Sequence, residues 1–124
     1  MNMKTEKRIA NIFKVLGAPF RIRLLYAIGK GEACVCHLEG ILNRRQAYIS
    51  QHLMVLRDAG ILETRREGKY IFYRVADLSM FRLIAEAGGI IGIKENDLPI
   101  LEEEKTVVSC CCPHCVEELV IEEK

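Results

Sequence analysis

The sequence contains no apolar run of the roughly 18 to 20 residues that a membrane-spanning helix needs. Its first residues, MNMKTEKRIAN, also lack the apolar stretch of a signal peptide. We therefore expect a cytoplasmic protein that has no membrane partner. Thiols stay reduced in the cytoplasm, so the six cysteines are better interpreted as metal ligands or redox groups than as a disulfide framework.

The usual parts of a catalytic site are also missing. The sequence has no glycine-rich phosphate loop and no conspicuous pair of acidic residues. Cys36-His37 and His114-Cys115 are cysteine–histidine neighbours, but adjacent residues rarely place their side chains within hydrogen-bond reach of each other. We therefore expect that the protein is not an enzyme.

The charge of the chain is divided unevenly. At 124 residues the chain is expected to fold as one domain, small enough to bury part of its apolar surface against a second copy. Residues 1–75 carry 14 Lys and Arg against 6 Asp and Glu, whereas residues 76–124 carry 4 against 11. A basic half that contacts phosphates and an acidic remainder would fit a DNA-binding protein.

The stretch from Arg44 to Gly60, RRQAYISQHLMVLRDAG, predicts the second helix of a helix-turn-helix. Ile49, Leu53 and Leu56 recur at the spacing of one helical face, while Ala47, Ser50, Gln51 and Met54 point the opposite way. Gly60 stands where a helix C-terminus favours positive φ. The predicted recognition helix therefore spans residues 46–59, with one face for the core and one for contact.

The remaining elements give the order α-α-α-α-β-β-α. Helices are expected over residues 5–16, from Pro19 to about residue 28, over 36–42 and over 78–91, where Gly88-Gly89 should weaken or end the last helix. Residues 61–66 and 70–75 are rich in β-branched and aromatic residues and are joined by Glu67-Gly68-Lys69, which predicts a hairpin. A hairpin directly after a recognition helix is a wing, whose cations Arg65, Arg66, Lys69 and Arg74 would contact DNA.

The cysteines fall into two clusters, Cys34 and Cys36 as C-x-C and a second group in SCCCPHCVEE that comprises Cys110, Cys111, Cys112 and Cys115. Residues i and i+2 of a helix cannot share one ion, so C-x-C chelates only if Cys34 precedes the helix. A helix N-terminus also favours the thiolate. Cys112 and Cys115 form a C-x-x-C motif that resembles half of a zinc ribbon, so C-x-C plus C-x-x-C supplies four soft ligands for Zn or Cd, or any three for Pb or As(III), and two tail thiols are surplus. His37 and His114 could join the ligands, but we expect them outside the ligand shell or facing solvent.

These motifs together resemble the ArsR/SmtB family of metal-responsive repressors over roughly residues 8–90. The matching motifs are the E-x-C-V-C-x-L box from Glu32, the S-x-H-L-x-x-L-x-x-A-G stretch from Ser50 and the G-K-x-x-x-Y wing from Gly68. The resemblance implies a dimeric winged helix that leaves its operator when an ion binds. It also implies that five residues face the DNA groove, namely Gln46, Tyr48, Ser50, Gln51 and His52. Five cations would contact phosphates or belong to the wing, namely Arg44, Arg45, Arg65, Arg66 and Lys69.

The chain departs from the family pattern in three ways. His37 follows the second cysteine of the box, where the family usually has Asp. Residues 1–33 contain no cysteine, and residues 78–92 contain no histidine and a single carboxylate, Glu86. The N-terminal ligands of cadmium and lead sensors and the last-helix ligands of zinc sensors are therefore both missing, which leaves the C-x-C box and the C-terminal cluster.

The combined expectation is a mainly α, homodimeric winged helix-turn-helix over residues 1–92, followed by an acidic, Cys-rich extension over 93–124 that is poorly ordered until something ties it down. It would repress transcription from an inverted-repeat operator and be released by Zn, Cd, Pb or As(III). Two alternatives remain open at this point. The thiols could form a redox or persulfide switch, or the tail could hold a permanent structural zinc.

Overall fold

The computed structural model describes residues 1–99 of the chain. Five helices and a three-stranded antiparallel sheet alternate along the chain, followed by a short 3-10 turn at Glu95–Asp97. The elements are α1 (Met3–Leu16), α2 (Pro19–Ile28), β1 (Glu32–Cys34), α3 (Val35–Leu42), α4 (Gln46–Asp58), β2 (Leu62–Glu67), β3 (Tyr70–Val75) and α5 (Ser79–Ile90). None of the helices in this described part is long and apolar enough to cross a bilayer.

The core lies where α2, α3 and α4 meet. Leu24, Leu25 and Ile28 of α2, Leu38 of α3, and Ile49, Leu53 and Leu56 of α4 are all completely buried. Because each helix contributes one apolar face, burial of these faces fixes how the three helices pack. The predicted apolar stripe of the recognition helix is therefore confirmed as its core face.

The turn between α3 and α4 is tight. Asn43 adopts a left-handed conformation (φ 52°) and its N–H donates to the carbonyl of Glu39 at 2.9 Å. Asparagine tolerates this conformation better than most residues do. Helix, tight turn and helix follow in the predicted order, and Gly60, with φ 81°, turns the chain out of α4 as expected.

The sequence did not predict β1. This strand pairs with β3, which also pairs with β2, so the strand order is β1-β3-β2. Three residues carry too little alternation to be detected as a strand. Their pairing with β3 makes the wing a three-stranded sheet and joins the C-x-C box to it.

The last helix, expected over residues 78–91, runs through the glycine pair that was expected to weaken or end it. Gly88 is buried, and a Cβ at this position would lie 3.4 Å from the Cβ of Ile93. Gly92 then adopts φ 87°, and the N–H of Ile93 donates to the carbonyl of Gly88 at 2.9 Å. This arrangement is a Schellman motif, and Gly88 gives the returning chain the room to pack against the helix.

Candidate nucleic-acid interface and thiol pair

The outer face of α4 is the candidate DNA-reading surface. Gln46, Ala47 and Gln51 are exposed, Met54 is 52% exposed, and Ser50 is partly buried. Arg45 precedes the helix in an extended conformation, and Arg44 beside it is exposed. The helix therefore has the expected buried face and an opposite face that is largely exposed.

An aromatic cluster lies at the N-terminal half of α4 and joins it to α2. The ring centroid of Phe20 lies 4.8 Å from that of Tyr48 and 5.1 Å from that of His52, while the Tyr48 and His52 centroids are 4.8 Å apart. The guanidinium of Arg44 lies over the rings of Phe20 and Tyr48. Two residues of the groove-facing set, Tyr48 and His52, are thus held by α2.

His52 is held by a second residue of α2. The Nε of Arg21 donates to Nδ1 of His52 at 3.1 Å, and Nη1 of Arg21 donates to the carbonyl of Val15 at 2.9 Å. Burial, and to a smaller extent the positive charge of Arg21, lowers the pKa of His52. The neutral ring accepts the hydrogen bond from Arg21, so the imidazole that lies beside the groove-facing side chains is uncharged at neutral pH.

The wing carries its cations in two different settings. Arg66 and Lys69 are exposed near the hairpin tip, with the Lys69 ammonium 5.5 Å from the ring centre of Tyr70. Arg74 instead donates to Glu63 at 2.9 Å, and Arg65 donates to both Glu32 and Glu67. Arg65 and Arg74 are therefore ion-paired, whereas within residues 1–99 Arg66 and Lys69 form no ion pair.

Arg65 is also in register with the C-x-C box. Cys34 of β1 is paired with Phe72 of β3, and Phe72 is paired with Arg65 of β2. Residues paired in register lie on the same face of a sheet, and the Arg65 guanidinium lies 4.6 Å from the centre of the Phe72 ring. One row of side chains therefore runs from a cysteine of the box to a cation of the wing.

Cys34 and Cys36 form a close pair of thiols. Cys34 ends β1 and precedes the first residue of α3, in an extended conformation with φ −90° and ψ 166°. The two Sγ atoms are 3.0 Å apart, which is a sulfur–sulfur contact. The condition set by the sequence, that Cys34 lies outside the helix, is met, and both sulfurs can face one ion.

The other sulfur ligands that were expected, Cys110, Cys111, Cys112 and Cys115, lie outside the described residues, as does His114. Within residues 1–99, no three His, Cys, Asp or Glu side chains form a group that could hold an ion. His37 lies next to Cys36 at the start of α3 and is only 3% exposed. Of the two expected positions for His37, facing solvent does not hold, and a position beside the thiols but outside the ligand shell stays a prediction.

Three residues of this region were not identified from the sequence. Phe20 and Arg21 lie in the helix expected from Pro19 to about residue 28 but were given no role, and Glu32 was named only as the first letter of the cysteine box. Phe20 and Arg21 follow Pro19 directly, but neither their types nor their spacing indicates a contact with α4. The partner of Glu32 could not be found without the register of β1 and β3.

The chain is similar in sequence to bacterial transcriptional regulators. Residues 18–64 match the model of the bacterial regulatory protein, arsR family. A biofilm growth-associated repressor from Agrobacterium fabrum is 42% identical over 95 residues, which cover 77% of this chain and 81% of the repressor. A homologue of the cadmium resistance transcriptional regulatory protein CadC from Staphylococcus aureus is 34% identical over 80 residues, 64% of this chain and 66% of the relative.

A solved structure supports the same assignment. The homodimeric winged helix-turn-helix DNA-binding domain of a possible ArsR-family regulator from Mycobacterium bovis has 26% identity and a TM-score of 0.64, and the match covers 73% of this chain and 86% of that domain. The helix-turn-helix, the wing and these relatives lead to one assignment. The chain belongs to the ArsR family of winged helix-turn-helix transcriptional regulators.

Proposed function

We propose that this protein is a homodimeric repressor that binds an inverted-repeat operator and leaves it when a soft, thiophilic ion binds Cys34, Cys36 and cysteines of the C-terminal cluster. The observation that carries the proposal is the 3.0 Å approach of the two thiols at the start of α3. Because α3 and α4 together form the helix-turn-helix, an ion bound at that point acts directly on the support of the recognition helix.

The proposed contacts with DNA are supported by the exposed face of α4 and by the exposed cations beside it and on the wing. The exposed outer face of α4 would enter the major groove with Gln46, Ser50 and Gln51. Arg44, Arg45, Arg66 and Lys69 would contact phosphates. Tyr48, His52 and Arg65 are also proposed to contact DNA. Their partners on α2 and β1 fix the positions of these three side chains.

Two exposed apolar surfaces support a homodimer. Ile9 and Phe13 of α1 are 46% and 55% exposed, and Ile90 and Ile91 at the end of α5 are 86% and 75% exposed. Large exposed apolar side chains of this kind are typical of protein interfaces. Phe13→Glu and Ile90→Glu should each yield monomers by light scattering and weaken operator binding, whereas operator binding by a monomer with unchanged affinity would contradict the dimer.

Release would follow from a difference in ion affinity between the DNA-bound and free forms. An ordinary allosteric coupling of about 1 to 3 kcal/mol corresponds to a roughly 5- to 150-fold loss of operator affinity. The ion would be tetrahedral Zn or Cd with four thiolates, or Pb or As(III) with three. The CadC homologue is named for cadmium resistance and the Agrobacterium relative for biofilm growth. The identity of the ion therefore has to be determined by binding measurements.

The test compares the parent with a Cys34→Ser, Cys36→Ser variant. Operator binding is measured anaerobically by fluorescence anisotropy while Zn, Cd, Pb and As(III) are added in turn. We expect at least one ion to release the parent and none to release the variant. Equal release of both proteins would exclude the C-x-C box as the sensor, and unchanged affinity at every ion level would favour a structural zinc.

The thiol pair also supports a second candidate, a redox switch. Two thiols 3.0 Å apart can lose two electrons and two protons to a peroxide, which is reduced to water as the sulfur–sulfur bond forms. The distinguishing experiment uses metal-free protein and mild peroxide. Loss of operator binding that a dithiol reductant restores would favour this function, and unaltered binding with oxidised thiols would exclude it.

A further inference from the structure

The thiol pair packs against the outer face of the wing. Side chains along β3 alternate between the two faces of the sheet, so Tyr73 belongs to the main core while Phe72 lies on the other side. On that side Phe72 and Cys34 form a small buried cluster. Cys36 and Tyr70 are partly buried against it. The two cysteines therefore share their apolar surroundings with two aromatic residues of the wing.

Each of these two rings has a wing cation over it. The Arg65 guanidinium lies 4.6 Å from the centre of the Phe72 ring, and the Lys69 ammonium lies 5.5 Å from the centre of the Tyr70 ring. A cation over an aromatic face is attracted to it. Because Arg65 and Lys69 are proposed to contact DNA, the rings connect the thiol cluster to the DNA contacts of the wing.

The thiol pair has to open when it binds an ion. Its two Sγ atoms are 3.0 Å apart, whereas two sulfurs bound to one tetrahedral Zn lie about 3.8 Å apart when each Zn–S bond is about 2.3 Å long. Protein interiors are close-packed, so neighbouring side chains have to take up this increase. Phe72 is such a neighbour, since it is buried with Cys34 and paired with it in register across β1 and β3.

We propose that the thiol pair acts on the wing as well as on α3, with Phe72 as the positioning residue that transmits the opening of the pair to Arg65. The inference rests on the proposed function, because it describes how the same site changes DNA binding. A shift of Phe72 moves the ring that supports the Arg65 guanidinium. Arg65 is also hydrogen-bonded to Glu32, on the same strand as Cys34, so a shift of β1 reaches this cation by a second contact.

The two connections act on different parts of the DNA-binding surface. Through α3 the ion acts on the support of the recognition helix, and through Phe72 it moves a cation of the wing. Loss of the wing connection should therefore leave ion binding intact and weaken only the effect of the ion on DNA. The quantity to measure is the release factor, the ratio of the operator Kd with saturating Cd²⁺ to the Kd without it.

Arg65→Gln in the full-length protein tests the wing connection. We expect its release factor to be smaller than that of the parent by roughly 2- to 30-fold, with an unchanged Cd²⁺ affinity of the DNA-free protein. Fluorescence anisotropy gives the release factor, and thiolate charge-transfer absorption gives the Cd²⁺ affinity. Arg74→Gln is the matched control, because it removes a wing cation that is paired with Glu63. This variant should keep the release factor of the parent.

The shift of Phe72 is tested by NMR on DNA-free protein. The Nε–H signal of Arg65, identified by its absence in Arg65→Gln, should move when Cd²⁺ is added, because the guanidinium experiences the ring current of Phe72. Phe72→Leu keeps a large apolar side chain without the ring, and it should show a much smaller movement and a smaller release factor. Should Phe72→Leu fail to fold, the Arg65 signal of the parent and the release factor of Arg65→Gln decide the question.

The possible outcomes separate this inference from the proposed function. Equal release factors for the parent and Arg65→Gln, or a parent Arg65 signal that Cd²⁺ leaves in place, would overturn the inference and leave the proposed function standing. An equal decrease in Arg65→Gln and Arg74→Gln would also overturn it, because the charge of the wing would then be the cause. If Cd²⁺ does not bind the thiols of the parent, or binds them without weakening operator binding, the proposed function itself fails.

Discussion

Arg65 of β2 and Glu32 of β1 form an ion pair across the central strand of the sheet. The Nε of Arg65 donates to Oε2 of Glu32 at 3.3 Å, Nη2 donates to Oε1, and the guanidinium lies over Phe72. Hydrogen bonding to Glu32, and then to Glu67, raises the pKa of Arg65. A cation expected at the DNA is thus held by a carboxylate two residues before Cys34.

Glu32→Gln should therefore strengthen operator binding by the ion-free protein. Arg65 loses one of its two carboxylate partners and keeps the ion pair with Glu67, so it becomes more available to a phosphate. We expect about a two- to fivefold gain in affinity and a steeper salt dependence, by up to about one counterion. Anisotropy titrations at several salt concentrations provide both values. Glu86→Gln on α5 is the control, because it removes the same charge far from the wing. An equal gain in affinity in both variants would show that the effect comes from the change in net charge alone.

Gln51→Ala and Lys69→Ala should weaken DNA binding in different ways. Gln51 is exposed on the reading face of α4, and its loss should cost about 1 to 3 kcal/mol at one base pair with little effect on random DNA. Loss of Lys69, near the hairpin tip, should lower the affinity for every DNA sequence. It should also reduce the dependence of the affinity on salt concentration by about one counterion. Measurement of each variant on operator and random duplexes separates these outcomes, and the same pattern for both would contradict the assigned roles.

His52 should titrate below its ordinary pKa of 6.5. The unfolded chain takes up the proton first as the pH falls, so the contribution of His52 to stability is present above pH 6.5 and is lost as the pH falls through the lower folded-state pKa. Long-range ¹H–¹⁵N NMR titration of the ring measures the pKa directly. Arg21→Gln should raise it only part of the way to 6.5, because burial is the larger cause, and a parent value at or above 6.5 would contradict the neutral ring.

Gly60→Ala should destabilise the fold through backbone strain alone. Gly60 has φ 81°, and a Cβ there would have no atom within 4 Å, so the expected cost is about 1 to 2 kcal/mol from the left-handed conformation. Gly89→Ala is the matched opposite, because Gly89 lies within α5 with equally open space. It should stabilise the fold by about 0.5 to 1 kcal/mol. Urea denaturation of both variants tests the pair, and equal destabilisation would contradict the left-handed backbone of Gly60 as the cause.

Much of the fold follows from local patterns in the sequence. The apolar spacing of Ile49, Leu53 and Leu56 predicted the core face of α4, and Gly60 predicted the end of that helix, because both are local properties. β1, Phe20 and the Arg65–Glu32 pair were not predicted, since each depends on residues far apart in sequence. The span of α5 was predicted almost correctly, but the sequence did not show that Gly88 is needed for close packing, because its partner Ile93 approaches only after the chain reverses.

The reversal of the chain at Gly92 has a consequence for how such a regulator can diverge. The N–H groups of Gly92 and Ile93 donate to the carbonyls of Gly89 and Gly88, so the end of α5 is capped by its own residues. The sequence that follows this cap can therefore change without loss of these hydrogen bonds and without any change to the exposed face of α4.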